Sequence, residues 1–338
     1  MKLHIFLLIS LIITSCTQKK SLFQKSYSGQ TQGTFFNIKY FCGESRDFSN
    51  AIDSIFKVID SSVSLYNQKS NLITLNQKKR ISYDPIIDTL IKQSIRVNKM
   101  TNENFSCALY PVINYFGFYS KKRPAFIDTF RIVSLLSNSR MSNIKIDNGY
   151  IHLDSFTSLD FNAIAQGYTC DLVAEYFDQE DITNYMIEVG GEVRTSGSNY
   201  TKKKKWRIGV ENPDETPTSN FNTIIELSDM SLATSGSYRN YYIDNNNLMS
   251  HIIDPSTGFP SKTKVISSTV LHKKCSLADA IATSFMCMDI REIKDFLKTY
   301  PHIQAIVIYQ DELDRISTYR TSGTVSYTHL TLPTICSV

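Results

Sequence analysis

No CxxC pair, no GxGxxG loop and no GKS or GKT tripeptide occurs in the 338 residues. The first absence removes thioredoxin-like redox centres and zinc fingers. The other two remove the dinucleotide fingerprint and the P-loop as phosphate cradles. Cys42, Cys107, Cys170, Cys275, Cys287 and Cys336 lie singly, several among apolar neighbours, as small core residues do. Beyond the N-terminus no apolar run is long enough to cross a bilayer, and no internal repeat is present. The formal charge is only +4, and the lysines at 202–205 beside Trp206 read as a solvated turn, so no nucleic-acid partner is expected.

What is present begins with MKLHIFLLISLIITSC. Lys2 gives a positive start, residues 5–13 are apolar but too short to span, and Thr14 and Ser15 lead into Cys16. That layout resembles a bacterial lipoprotein signal, with Ile13 where leucine is usual. Residues 1–15 would be removed and Cys16 lipidated; an ordinary secretory signal is the alternative. The chain would then be anchored to a membrane and face the periplasm or cell exterior. Thr17 in place of aspartate favours the outer membrane over the inner one without deciding between them. Residues 16–30 are polar and read as a flexible tether. Residues 31–320 read as one domain in two intimately packed lobes, and 321–338 as an atypical C-terminal tail.

Within the domain, GTFFNIKYF (33–41) has strand character. Ile52, Ile55, Phe56 and Ile59 repeat at helical spacing, and Asn67 and Ser70 mark a polar loop. DPIIDTLIKQSIRVNKMT forms a second helix with Pro85 in its first turn. Leu172, Val173, Tyr176 and Phe177 give a third, and SLADAIATSFMCM a fourth. GYIHLD, NYMIEVGGEVRTSG, WRIGVENP, TIIELSDMSLATSG, VISSTVLH and the closing HIQAIVIYQ are strand-like. Strands and helices alternate without regular βαβ spacing. The fold class is therefore α+β, with mixed or antiparallel sheets and packed helical layers.

Four stretches carry candidate chemistry. Asp279 and Thr283 are four apart on a helix whose alanines keep its surface low, so a carboxylate and a hydroxyl share one face. Both are hard oxygen donors suited to Mg²⁺, although any helix can hold such a pair. DFNAIAQG (160–167) combines Asp160 with small residues, either to meet a nucleotide or to cap a loop. Gly190 and Gly191 allow close backbone approach or mark a bulge, and LATSGSYRNYY adds hydroxyls and Arg239. HIIDPSTGFP (251–260) places His251 before a turn that Asp254 and Pro255 start and Gly258 finishes. His251 is either a donor and proton carrier or a structural partner of Asp254.

In this order, these motifs resemble the ApbE family of FAD:protein FMN transferases, once described as thiamine-biosynthesis lipoproteins. QGTFFNIKY, SLYNQKSNLITLN, DFNAIAQGYTCD, YMIEVGGEVRTSG, LATSGSYRNYY, SHIIDPSTGFP and SLADAIATSF carry the likeness across residues 31–320. The resemblance implies the ApbE-like flavin transferase fold. It also implies Mg²⁺ held by the backbone oxygen of Ala163 with Asp279 and Thr283, and FAD as substrate, contacted by Gln32, Tyr66, Asp160, Gln166 and His251. The implied reaction transfers FMN from FAD to a threonine or serine hydroxyl and releases AMP, with His251 or Asp254 as base. Acceptors would be membrane electron-transport subunits of the RNF type or the sodium-pumping NADH:quinone oxidoreductase (NQR) type. A Mg²⁺-dependent FAD pyrophosphatase and a non-catalytic FAD-binding lipoprotein are the competing readings. Gln32 stands where the family usually has methionine. Ser106 replaces an aspartate, and Gln166 a lysine or glutamate; none of the three is an implied metal ligand.

Overall fold

A computed structural model describes residues 21–119, 124, 126–210, 223–237, 241–244, 247–324 and 326–327. Cys16, Arg239 and the tail beyond 327 lie outside the described residues. The chain starts with β1 (Phe23–Thr31), β2 (Thr34–Cys42), α1 (Ser49–Val63), α2 (Asn71–Lys78), β3 (Arg80–Ser82) and α3 (Pro85–Met100). Next come α4 (Tyr110–Tyr115), α5 (Thr129–Asn138), β4 (Lys145–Asp147), β5 (Tyr150–His152) and α6 (Ala165–Gln179). Then follow β6 (Tyr185–Val189), β7 (Glu192–Ser196), β8 (Trp206–Val210), β9 (Thr223–Leu227) and β10 (Ser231–Gly236). The chain continues through β11 (Tyr241–Asp244), β12 (Asn247–Ser250), β13 (Val265–His272), α7 (Cys275–Phe285) and α8 (Ile290–Thr299). It finishes with β14 (Gln304–Gln310), β15 (Ile316–Arg320) and β16 (Ser326–Tyr327).

The framework is an eight-stranded sheet in the order β1-β2-β6-β7-β10-β13-β14-β15, antiparallel at every step. In β2, Phe36, Ile38 and Tyr40 alternate inward against α1 and α6, as the period of a strand requires. α6 and α7 pack on this face, with α1 beyond α6 and α3 beyond α7. A continuous apolar cluster joins Leu72 and Ile87 to Leu277, Phe285, Phe296 and Val307. On the opposite face lies the small sheet β16-β9-β8, sealed by Val210, Ile225 and Leu227 against Leu232, Leu271 and Ile306. The architecture is thus α+β, as expected.

Three boundaries differ from the sequence reading. Residues 23–30, read as tether, form most of β1 and pair with β2 from Phe23↔Cys42 to Thr31↔Thr34. An edge strand with polar alternation has no apolar signature; β1 is instead fixed by the turn at Gln32 and Gly33, whose φ values of 50° and 72° suit a two-residue hairpin. β14 does not close the sheet, because β15 adds to its outer edge. Within the stretch read as tail, Ser326–Tyr327 pairs with β9. By contrast, Pro85 lies in the first turn of α3, as the sequence indicates, and Asp84 caps that helix.

Gly167 sets the distance between α6 and α7. A Cβ there would lie 2.5 Å from the Cys275 carbonyl oxygen and 2.9 Å from the Asp279 Cβ, both fixed parts of α7. Gly167→Ala should therefore lower stability by about 1–3 kcal/mol through overpacking, read as a fall in the urea midpoint at unchanged slope.

Candidate active site

Segments remote in sequence meet around one cavity of about 380 Å³. The β1–β2 turn brings Gln32, the loop after α1 brings Tyr66, and the entry to α6 brings Asp160, Ala163 and Gln166. β10 contributes Thr234 and Ser235, the segment after β12 contributes His251, and α7 contributes Asp279 and Thr283. Every sequence-identified site residue except Asp254 lines this space. Asp254 is turned to another task. Its Oδ1 accepts from the Ser256 amide and hydroxyl, both at 2.7 Å, and its backbone carbonyl accepts from Gly258 N–H. These bonds build the Asx turn that the DPSTG sequence encodes.

Neither α6 nor α7 is capped by its own N-cap side chain. Each is capped by the other. Asp279 Oδ2 on α7 accepts the Gly167 N–H in the first turn of α6 at 3.1 Å. Asp171 on α6 accepts the Cys275 N–H at 2.9 Å and the Ser276 N–H at 3.0 Å at the start of α7, and also the Ser276 hydroxyl at 2.7 Å. The orphan donors of both helix starts are thus satisfied by carboxylates that also complement the helix dipoles. Arg194 on β7 approaches Asp171 to 3.4 Å and balances its buried charge.

Asp279 is buried, and burial raises its carboxyl pKa to about 7; the Gly167 N–H opposes the rise and the Asp171 charge adds to it. One turn on, the Thr283 hydroxyl lies 3.1 Å from that of Ser235. A buried carboxylate is costly to ionise unless a cation or donors compensate it, and carboxylate and hydroxyl oxygens are the hard donors that a divalent cation prefers. Among the described residues there is no group of three or more His, Cys, Asp or Glu side chains that could hold a metal. Asp279, Thr283 and Ala163 all line the cavity.

Elsewhere in the cavity wall, Asp160 is buried, and desolvation raises its pKa. Its Oδ2 accepts from the Tyr119 hydroxyl and its Oδ1 from Asn162 N–H at 2.8 Å. Burial, with the neighbouring Asp160 charge, pushes the Tyr119 phenol well above its ordinary range. Tyr119 stacks on Tyr110 at 5.3 Å and meets Tyr66 edge-on at 6.2 Å, forming an aromatic wall. Gln32 Nε2 donates to Thr169 Oγ1 at 2.6 Å, which ties the hairpin turn to α6. The Gln166 amide lies where a Cβ on Gly190 would sit, 2.8 Å from its Oε1. Gly190 is therefore a close-approach glycine, and its φ of 68° also places it in the hairpin turn with Gly191. Ser106 lines the cavity and accepts the Ala108 N–H at 3.1 Å, the kind of local bond an aspartate also makes. Tyr119, Asn162 and Glu192 were missed by sequence reasoning; Ser235 lay in a patch recognised only for its hydroxyls.

The ApbE family profile matches residues 32–307. The FAD:protein FMN transferase of Vibrio cholerae serotype O1 is 34% identical over 293 residues, covering 82% of this chain and 85% of that protein. Its Haemophilus influenzae counterpart is 30% identical over 301 residues, covering 83% and 84%. Among solved structures, the flavin transferase ApbE from Vibrio cholerae superposes with a TM-score of 0.78 at 30% identity, over 90% of this chain and 99% of that one. The apo Pseudomonas stutzeri flavinyl transferase ApbE gives a TM-score of 0.79 at 23% identity, over 89% and 95%, a likeness of fold.

Tyr119→Phe removes one of the Asp160 donors and should raise the Asp160 pKa further. The expected loss of stability, about 1–3 kcal/mol, is largest where Asp160 is ionised and shrinks as acid protonates it. Chemical denaturation of wild type and variant across pH measures that trend.

Proposed function

The chain belongs to the ApbE family, and we propose that it transfers the FMN moiety of FAD to a threonine or serine hydroxyl of an acceptor protein and releases AMP. The observation that carries this reading is the single cavity lined by Gln32, Tyr66, Asp160, Gln166, His251, Ala163, Asp279 and Thr283, in a chain 34% identical to a FAD:protein FMN transferase. The aromatic wall of Tyr66 and Tyr119 offers ring faces to a flavin or adenine. Asp160 and Gln166 offer polar groups to its edges.

In the reaction, the acceptor hydroxyl oxygen attacks the phosphorus on the riboflavin side of the FAD pyrophosphate. A phosphoester bond forms, the anhydride bond to the second phosphorus breaks, and AMP departs with the electron pair. The hydroxyl proton passes to a base, since a neutral alcohol is a weak nucleophile. His251 is the proposed base. It lines the cavity, whereas Asp254 does not, and the Asp254 carboxylate is committed to its turn. Mg²⁺ would be held by the Ala163 carbonyl, Asp279 and Thr283, where the chemistry it supplies is neutralisation of pyrophosphate charge. The cross-cap with Gly167 fixes Asp279 before substrate enters, so this donor needs little reorganisation.

Lipidation at Cys16 is proposed to hold the enzyme on a bacterial membrane facing the periplasm or exterior. Among the described residues no helix is long and apolar enough to cross a membrane. Proposed acceptors are subunits of RNF or NQR type, which the anchor would confine to the same surface.

The full processed chain, incubated with FAD, Mg²⁺ and such an acceptor, should add the mass of one FMN to the acceptor and release AMP in equal amount. Free FMN and AMP with no acceptor mass gain would assign hydrolysis instead. Asp279→Ala should slow transfer on the order of 10²-fold or more and abolish the rise in melting temperature that Mg²⁺ gives wild type. His251→Ala should lower kcat by about 10²-fold or more while keeping that Mg²⁺-dependent rise.

A further inference from the structure

We propose that the loop bearing Lys202, Lys203, Lys204 and Lys205 is a second membrane contact, seating the domain on the anionic headgroups of the bilayer that holds its own anchor. The inference rests on the Cys16 anchor proposed above and adds an orientation to it. All four lysines are exposed, and none joins an ion pair among the described residues. The loop is closed on itself and presents them as a unit. Asn199 N–H donates to the Lys204 carbonyl at 2.9 Å, Lys202 N–H donates to Asn199 Oδ1 at 3.0 Å, and Lys203 takes a left-handed φ of 50°. Asp229, on the strand connection nearest the loop's base, is occupied by Gly197 N–H at 2.9 Å and Ser228 Oγ at 2.8 Å.

The position of this loop gives the charge its meaning. Trp206, directly after the lysines, is buried with Phe41, Met186 and Val193, and Leu22 packs on that same cluster. Tyr200 at the loop's other end meets Phe41 at 5.8 Å. Leu22 is the residue from which the chain runs back toward Cys16. Six residues reach at most about 20 Å, so a lipid on Cys16 keeps Leu22 within that distance of the headgroups, and the lysines follow the cluster on which Leu22 packs. A lipid anchor holds the domain at the surface, and a polybasic patch adds an electrostatic contact that fixes which face it turns to anionic headgroups.

The test uses the full processed chain in vesicles of phosphatidylcholine alone or with phosphatidylglycerol. The intact mass is read first, and acyl mass on Cys16 reports on the anchor alone. Amine-reactive labelling of the four lysines is then compared with that of exposed Lys57 on α1. Protection of the four lysines by about fivefold or more, only with phosphatidylglycerol, reversed by salt and absent at Lys57, is expected. In the Cys16→Ser chain, co-sedimentation with phosphatidylglycerol vesicles should fall about tenfold or more on replacing all four lysines by glutamine. That variant should keep the emission of the sole tryptophan, Trp206, and the wild-type transfer rate to a soluble acceptor. Equal labelling on both vesicles, or lysine-independent sedimentation, would overturn the proposal whether or not Cys16 is acylated. Protection that appears only with added acceptor would also overturn it, assigning the loop to an acidic protein.

Discussion

The exchange of caps between α6 and α7 is the constraint on which the rest of the site depends. Two helix starts buried side by side leave amide donors that water cannot reach, and each unsatisfied donor costs about 1–3 kcal/mol. Asp171 and Asp279 meet these donors across the helix pair, over 104 and 112 residues of sequence. The exchange works only at very short separation, hence the glycine at 167 beside the Cys275 carbonyl. Arg194 reaches the Asp171 carboxylate from β7. Among the described residues no such cation reaches Asp279, and burial raises its pKa to about 7. One carboxylate is thereby used up in structure, while the other is held in place with a charge left for a ligand to neutralise.

The sheet delivers the opposite wall through its turns. The β1–β2 and β6–β7 hairpins turn at the same end, through Gln32–Gly33 and Gly190–Gly191, all with positive φ. Gly190 N–H donates to the Phe35 carbonyl at 2.9 Å, which joins the two turns. Gln166 rests on Gly190, and Gln32 holds Thr169 of α6. Helix start and hairpin turns are thus locked together by polar side chains and glycines.

Legibility in the sequence followed the range of the interactions. α1, α3, α6 and α7 could be read because their apolar residues repeat within one element, and Pro85 in the first turn of α3 could be read because that preference is local. α8 has both a local signal, the Asp289–Glu292 capping box, and an apolar stripe of Ile293, Phe296 and Leu297, so it was legible although it went unread, whereas β1 carries no apolar period. At the site, Asp279 and Thr283 stood out as a pair sharing a face, but nothing local distinguished them from any exposed pair. Their meaning comes from Gly167 and Ser235, which the fold brings in from elsewhere. Asp171 was quoted within a motif without a role, since its partners are in another helix. Tyr119 had no signal at all, because its bond to Asp160 spans 41 residues with no spacing rule. His251 and Asp254 looked equivalent in sequence, and only the turn geometry separates them.

The start of β1 at Phe23 changes what an anchor at Cys16 would do. A tether of fifteen residues would let the domain tumble and sample acceptors at many heights, whereas a short link docked through Leu22 restricts both height and rotation. The β1–β2 hairpin runs from that fixed end directly to Gln32 at the cavity, nine residue pairs along a single ladder. At about 3.4 Å per residue the cavity then stands on the order of 30 Å along the hairpin from the attachment point. With such an anchor, the strand pair would be a spacer between membrane and chemistry. An acceptor in the same membrane would then meet the cavity when its hydroxyl projects to a matching distance, so position along the membrane normal would contribute to acceptor selection alongside the contacts made in the cavity.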